Sequence, residues 1–251
     1  MSDLPEPIPA ATLVLMREVS SGPPQLLVME RTDHMAFAAG ALVFPGGRID
    51  SGDRDAAERF PHVPDAAARL AAIRETIEET GIVPAVEPAA DPALAERLRF
   101  GLDQGRPLME AFAEHDLMVD PALLVPFARW CPNFRETRRF DTLFFLAEAP
   151  PGAAEPIVSE AEAVHAFWAS AADILAELDA NRAHAIFPTR RNLERLARFS
   201  SIAEARADAA LHPVICITPW VEDRDGGPHV CIPDNIGYPV TSEPLETARR
   251  R

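Results

Sequence analysis

Hydrophobic positions change their spacing along the chain, and the changes mark its elements. Residues 11–17 (Ala-Thr-Leu-Val-Leu-Met-Arg) and 25–30 (Gln-Leu-Leu-Val-Met-Glu) are short β-type runs, and Ser21-Gly22-Pro23-Pro24 between them predicts a hairpin. A third run, Ala41–Phe44, stops at Pro45-Gly46-Gly47, and a polar, proline-marked stretch follows over 48–64. The pattern then turns helical. Residues 66–80 contain no Gly or Pro, Asp65 stands where an N-cap belongs, and Gly81 stands where a C-terminal glycine belongs.

Beyond this helix, residues 92–118 read as helical, with Asp91-Pro92 at one start and Pro107 opening a second segment. Strand-like runs come at 122–130 and 140–147, and helices are predicted at 170–180, 188–199 and 202–210. Two short strands, Val214–Ile217 and Val230–Ile232, end the series. No repeat or low-complexity linker separates residues 1–90 from the rest, so the expectation is one domain over 1–251.

Chemistry concentrates in Arg74-Glu75-Thr76-Ile77-Glu78-Glu79-Thr80-Gly81-Ile82. At about 100° per residue, Glu79 lies about 40° to one side of Glu75 and Glu78 about 60° to the other, so three carboxylates share one helix face. Leu70, Ile73 and Ile77 fall on the opposite face, which predicts a core-facing stripe. Ala71 and Ala72 flank the acids and are expected to leave room for a ligand. Like charges this close repel on a bare helix, and a hard divalent cation reverses the sign. Arg74, four residues before Glu78, is placed to orient it. Without a cation, the same residues make a solvated acidic face with a Glu–Arg ion pair.

Composition narrows the chemistry further. The 251 residues carry 39 acidic and 24 basic side chains, a formal charge of −15, and every basic one is arginine. A chain without lysine has no Schiff-base lysine and no phosphate-loop lysine. Its acidity argues against nucleic acid or an anionic membrane as partner. A phosphate substrate then calls for a recruited cation. The longest apolar run, about 36–44, is too short to span a bilayer, and the N-terminus lacks a basic signal-peptide start, so a cytoplasmic location is expected. Cys131, Cys216 and Cys231 form no Cys-x-x-Cys pair and read as buried thiols, and the seven histidines show no metal spacing.

Phe44-Pro45-Gly46-Gly47 followed by Arg74-Glu75-x-x-Glu78-Glu79-x-Gly81-Ile82 resembles the Nudix box. There are two departures. Between Gly47 and Arg74 stand 26 residues, twice as many as the family pattern has, so the box is interrupted by an insertion within 48–64. The family's glutamate eight residues before the arginine is replaced by Ala66, and Asp65, Asp50, Asp53, Asp55 and Glu58 are all candidates to stand in for it. An interrupted box resembles the branch that includes a peroxisomal coenzyme A diphosphatase. Arg129-Trp130-Cys131-Pro132, Arg138-Arg139-Phe140-Asp141-Thr142, Glu160-x-Glu162 before Trp168, and Phe187-Pro188-Thr189 follow that branch's layout.

The resemblance implies an α+β fold, an α/β/α sandwich around a mixed central sheet with helical insertions, one of them at about 92–118. It implies Mg²⁺ or Mn²⁺ held by Glu75, Glu78, Glu79 and the carbonyl of Gly47, with Arg74 and Glu162 completing the catalytic set. Substrate contacts are expected from Arg139, as a phosphate clamp, and from Trp130, stacked on a base, although a tryptophan in such a strand is more often core. Arg138 points the other way by alternation. The implied reaction is hydrolysis of a diphosphate in a small nucleotide-linked molecule, with CoA or acyl-CoA foremost. ADP-ribose, NADH and dinucleoside polyphosphates are the alternatives, as is a catalytically silent module that senses a nucleotide. The NADH-branch Ser-Gln-Pro-Trp motif and the CoA signature found upstream of the box in other CoA-cleaving members are both missing. Residues 92–118 are a candidate lid. The sequence leaves oligomeric state open, a homodimer being one option.

Overall fold

The computed structural model describes residues 5–32, 38–133, 139–153, 155–158 and 163–249. The predicted hairpin is present as β1 (Ile8–Arg17) and β2 (Gln25–Arg31), paired antiparallel through Met16↔Leu26 and Arg17↔Gln25. Past that point the two strands diverge. Into the gap runs the segment ending in Pro-Gly-Gly: β3 (Leu42–Val43) pairs with β2, and β4 (Gly46–Arg48) pairs with β1 through Ala11↔Gly47. Glycine is needed here because a Cβ on Gly46 would lie 2.4 Å from the Ala11 carbonyl oxygen.

The polar stretch after β4, to which the sequence assigns no element, is not all loop. It holds α1 (Ser51–Ala57), whose start is closed when Asp50 N donates to Asp53 Oδ2 at 2.9 Å. Next comes α2 (Ala66–Thr80), with the predicted bounds and with Gly81 at φ 69° donating its N–H to Ile77 O. Asp65 does occupy the N-cap position, but in the left-handed region and with no side-chain cap bond. The α2 start is tied down instead by buried Arg69, whose guanidinium donates to the carbonyls of Pro64, Pro121 and Leu124 and lies over the Phe145 ring.

Short β5 (Val86–Glu87) leads to α3 (Pro92–Asp103) and α4 (Leu108–Ala113), then to β6 (Met118–Val119), which pairs with β5. Asp91 Oδ1 caps α3 by accepting from Leu94 N. Leu98, Leu102, Leu108 and Phe112 are buried in one core with Leu70, Ile73 and Ile77 of α2. The lid expectation fails for that reason: these helices are packed into the core.

β7 (Val125–Trp130) and β8 (Phe140–Glu148) are antiparallel neighbours, and β8 runs parallel to β1 over Ile8–Met16. β9 (Ala163–Ser170), which the sequence pattern did not reveal, covers the other edge of β2. After α5 (Ala171–Asp179), α6 (Phe187–Leu196) and α7 (Ile202–Leu211), strand β10 (Cys216–Ile217) pairs parallel to β7. A small antiparallel sheet of β11 (Trp220–Arg224), β12 (Gly227–Cys231) and β13 (Ser242–Pro244), followed by α8 (Leu245–Arg249), ends the described chain.

The eight-stranded mixed sheet is buried on both faces, as the alternation in β1 shows: Ala11, Leu13 and Leu15 face α2, while Val14 and Met16 face α5, α6 and α7. This is the expected α/β/α sandwich. α2 crosses its sheet face from β8, where Arg69 covers Phe145, to β4, where Glu75 meets Gly47. Among the described residues no helix is long and apolar enough to cross a membrane.

Candidate active site

The core stripe of α2 is as the spacing predicts: Leu70, Ile73 and Ile77 are fully buried. Its hydroxyls on the buried side are satisfied within the helix, Thr76 Oγ1 donating to Ala72 O and Thr80 Oγ1 to Thr76 O. Ala71 and Ala72, expected to leave room for a ligand, are completely buried in the α2-side core instead. Their small size serves close packing of the helix.

The acid face turns toward β4. Glu79, only 6% exposed, accepts a hydrogen bond from Gly46 N at 2.8 Å through Oε2. Glu75 lies against Gly47 so closely that a Cβ on that residue would come within 2.3 Å of Glu75 Oε1. The second glycine of Pro-Gly-Gly is thus required by the carboxylate above it. Glu78 is partly exposed beside them.

Arg74 organises the cluster. Its Nη1 donates to Glu78 Oε2 at 2.8 Å and lies 3.0 Å from Glu75 Oε1. Its Nε and Nη2 form a fork on Asp53 at 3.1 and 3.0 Å, and Nη2 also donates to the Arg48 carbonyl. Burial opposes the charge on Arg74, but the Asp53 hydrogen bond and the charges of Glu75, Asp53 and Glu78 outweigh it, so its pKa lies far above the ordinary value. Burial pushes the Glu78 carboxyl above the usual carboxylate range, with Arg74 only partly opposing the shift.

Asp53 answers the question that Ala66 raised. Of the five acids able to replace the missing glutamate, it is the one buried, at 2% exposed, and it is bound both to Arg74 and to Asp50 N. Asp50, Asp55, Glu58 and Asp65 are exposed, and only Asp50 comes within 3.8 Å of Arg74. The insertion in the box therefore folds α1 so that its own carboxylate reaches the box arginine. Spacing alone did not reveal this, because the acid is remote from the position it serves.

Other predicted residues fare differently. Trp130 is no stacking platform: it is 1% exposed in the core on the sheet face away from α2. There it donates to Tyr238 Oη at 3.1 Å and packs edge-on against Phe187 and Tyr238. Arg139 has two of its nitrogens turned to its own loop, Nε donating to Pro132 O at 3.1 Å and Nη2 to Cys131 Sγ at 3.2 Å. Arg138, Glu160 and Glu162 lie outside the described residues. Ala163, the first residue of β9, pairs with Arg31. Cys131 and Cys231 are buried as expected, whereas Cys216 is exposed.

Comparison with known proteins bears on the fold and the family. No family model matches the chain. It is 27% identical over 237 residues to human acyl-coenzyme A diphosphatase NUDT19, covering 72% of this chain and 62% of that protein's length. The chain therefore spans less than two thirds of that curated relative. Among solved structures, the Nudix hydrolase from Alicyclobacillus acidocaldarius superposes with a TM-score of 0.70 at 28% identity, over 80% of this chain and 96% of that one. In its Pro-Gly-Gly strand end, its interrupted box and its fold, the chain is similar to the Nudix hydrolases.

Proposed function

We propose that this chain is a divalent-metal-dependent diphosphatase whose substrate is CoA or acyl-CoA, cleaved to 3′,5′-ADP and (acyl-)4′-phosphopantetheine. The observation that carries the reading is the unbalanced charge around Arg74. Asp50, Asp53, Glu75 and Glu78 converge there on a single guanidinium, with Glu79 beside them bound to Gly46 N, facing a strand that glycine keeps bare. Hard carboxylate oxygens, partly exposed and in excess, fit Mg²⁺ or Mn²⁺. Glu75, Glu78, Glu79 and the backbone of Gly47 would hold the ion. When bound, it supplies neutralisation of the diphosphate oxygens and a more acidic bound water.

The chain's own residues supply the positioning. Arg74 holds Glu75 and Glu78 in one orientation, and Asp53 holds Arg74, so the acid face is set before substrate arrives. Gly46 N fixes one oxygen of Glu79. Arg139 acts in this reading as a positioning residue of the Cys131–Pro132 turn rather than as a phosphate clamp. The further acid from the chain before β9 is Glu162. The CoA substrate is supported by the interrupted box and by the name of the human relative.

The test is incubation with Mg²⁺ and a panel of CoA, octanoyl-CoA, ADP-ribose, NADH and diadenosine polyphosphates, read by mass spectrometry. Appearance of 3′,5′-ADP from the CoA members is expected. Cleavage confined to the other nucleotides would replace the substrate, and no turnover of any member would favour a silent nucleotide sensor.

A further inference from the structure

Three neighbouring strands bring two thiols and a carboxylate together toward the β10 edge of the sheet, with Asp141 across β1 from the end of β4: Asp141 pairs with Pro9, whose carbonyl accepts from Ile49 N. In the order β10, β7, β8, Cys216 pairs with Arg129, and Trp130 pairs with Thr142. Cys131 and Asp141 are one step beyond that last pair, and Cys131 N donates to Ile217 O at 2.9 Å. Asp141 shares its parity on β8 with Phe145, so it faces the α2 side. Cys131 Sγ, Cys216 Sγ and an Asp141 oxygen all lie within 4.8 Å of one another.

We propose that Cys131, Asp141 and Cys216 form a second cation site, one that takes a thiophilic divalent ion such as Zn²⁺ and is separate from the acid face of α2. Tetrahedral zinc with bonds of about 2.0–2.3 Å needs ligand atoms roughly 3.5–3.8 Å apart, so the donors close on an ion by moving about 1 Å. Two thiolates and a carboxylate around a divalent ion leave one net negative charge. Two guanidiniums already stand behind the ligands to offset it. Arg129 donates to Asp141 through Nε at 2.8 Å and Nη2 at 2.6 Å, leaving each oxygen a second lone pair, and Arg139 Nη2 donates to Cys131 Sγ at 3.2 Å. Hydrogen bonds of this kind to carboxylate and thiolate ligands are what supports a zinc centre. Cys216 is exposed, which gives an ion its entry path and leaves a fourth position for water or another ligand. The sequence concealed the site, because its cysteines lie far apart and only the β10–β7 pairing joins them.

Cobalt(II) provides the test, because only thiolate ligation gives its intense near-ultraviolet charge-transfer band. Chelator-treated, reduced protein in excess Mg²⁺ is titrated with Co²⁺. The expected result is a saturating band at one ion per chain, abolished by adding Zn²⁺, with Cys131 and Cys216 protected from alkylation in the zinc form. Cys216→Ser, a change at an exposed position, should lose the band. Asp141→Asn should weaken cobalt affinity at least about tenfold. No band in the wild-type protein, a band unchanged in Cys216→Ser, or protection that proves by mass to be a Cys131–Cys216 disulfide would each overturn the site. Mg²⁺-dependent hydrolysis is read separately, so its presence or absence does not decide this result.

Discussion

Two helices on opposite faces of the sheet carry dense charge, and they treat it in opposite ways. On α6, Arg190, Arg191 and Arg195 are buried and matched by acids: Arg190 pairs with Asp179 and Glu194, Arg191 with Glu194 and Glu243, and Arg195 with Asp208. Three cations meet four carboxylates. Arg195 also donates to the Phe127 carbonyl and stacks over Phe127, and Gly237 allows it, since a Cβ there would lie 2.9 Å from the guanidinium. On α2 a single arginine meets four carboxylates, with Glu79 next to them, and Glu75 and Glu78 keep part of their surface open to solvent. A buried network near neutrality is a structural clamp. An open one with a large negative excess is what a divalent cation would neutralise.

This contrast can be broken by experiment, starting with the largest expected effect. Glu79→Gln keeps an oxygen able to accept from Gly46 N, so the fold should survive while kcat falls by about two orders of magnitude or more through loss of a metal ligand. Circular dichroism and steady-state kinetics check both halves, and full activity would remove Glu79 from the site. Arg195→Met leaves Asp208 without its main partner, and a broken buried pair costs about 3–5 kcal/mol. Urea unfolding should show that loss, with activity per folded molecule unchanged; lowered activity at full stability would mean that α6 is no mere clamp. Asp53→Asn loses one charge from the fork on Arg74. It should cost about 1–3 kcal/mol and reduce kcat/KM roughly tenfold by loosening Glu75 and Glu78, as removal of a supporting group does. Unchanged kcat/KM would show that Asp53 supports only the fold.

Much of the site was legible because it obeys local rules. The period of α2, its terminal glycine and the shared face of Glu75, Glu78 and Glu79 follow from residues within two turns of one another. What escaped notice depends on contacts between distant segments. α1 lies in a stretch rich in Asp, Gly and Pro, and it is held by the Asp50–Asp53 bond and by the reach of Asp53 to Arg74. β9 was missed because it is defined by its pairing along β2 rather than by a local pattern. The buried arginines of α6 and the role of Arg69 run against the usual exposure of arginine, and only their partners across the fold make burial tolerable. Trp130 followed the general tendency of strand tryptophans to be core, and the stacking role did not survive.

The central claim, that the acid face of α2 is a divalent-cation site, is tested most directly by titrating Mn²⁺ into the protein and following the free ion by electron paramagnetic resonance. Wild type and Arg195→Met should bind Mn²⁺ alike, and Glu79→Gln should lose most of that binding. Equal Mn²⁺ binding by wild type and Glu79→Gln would contradict the account.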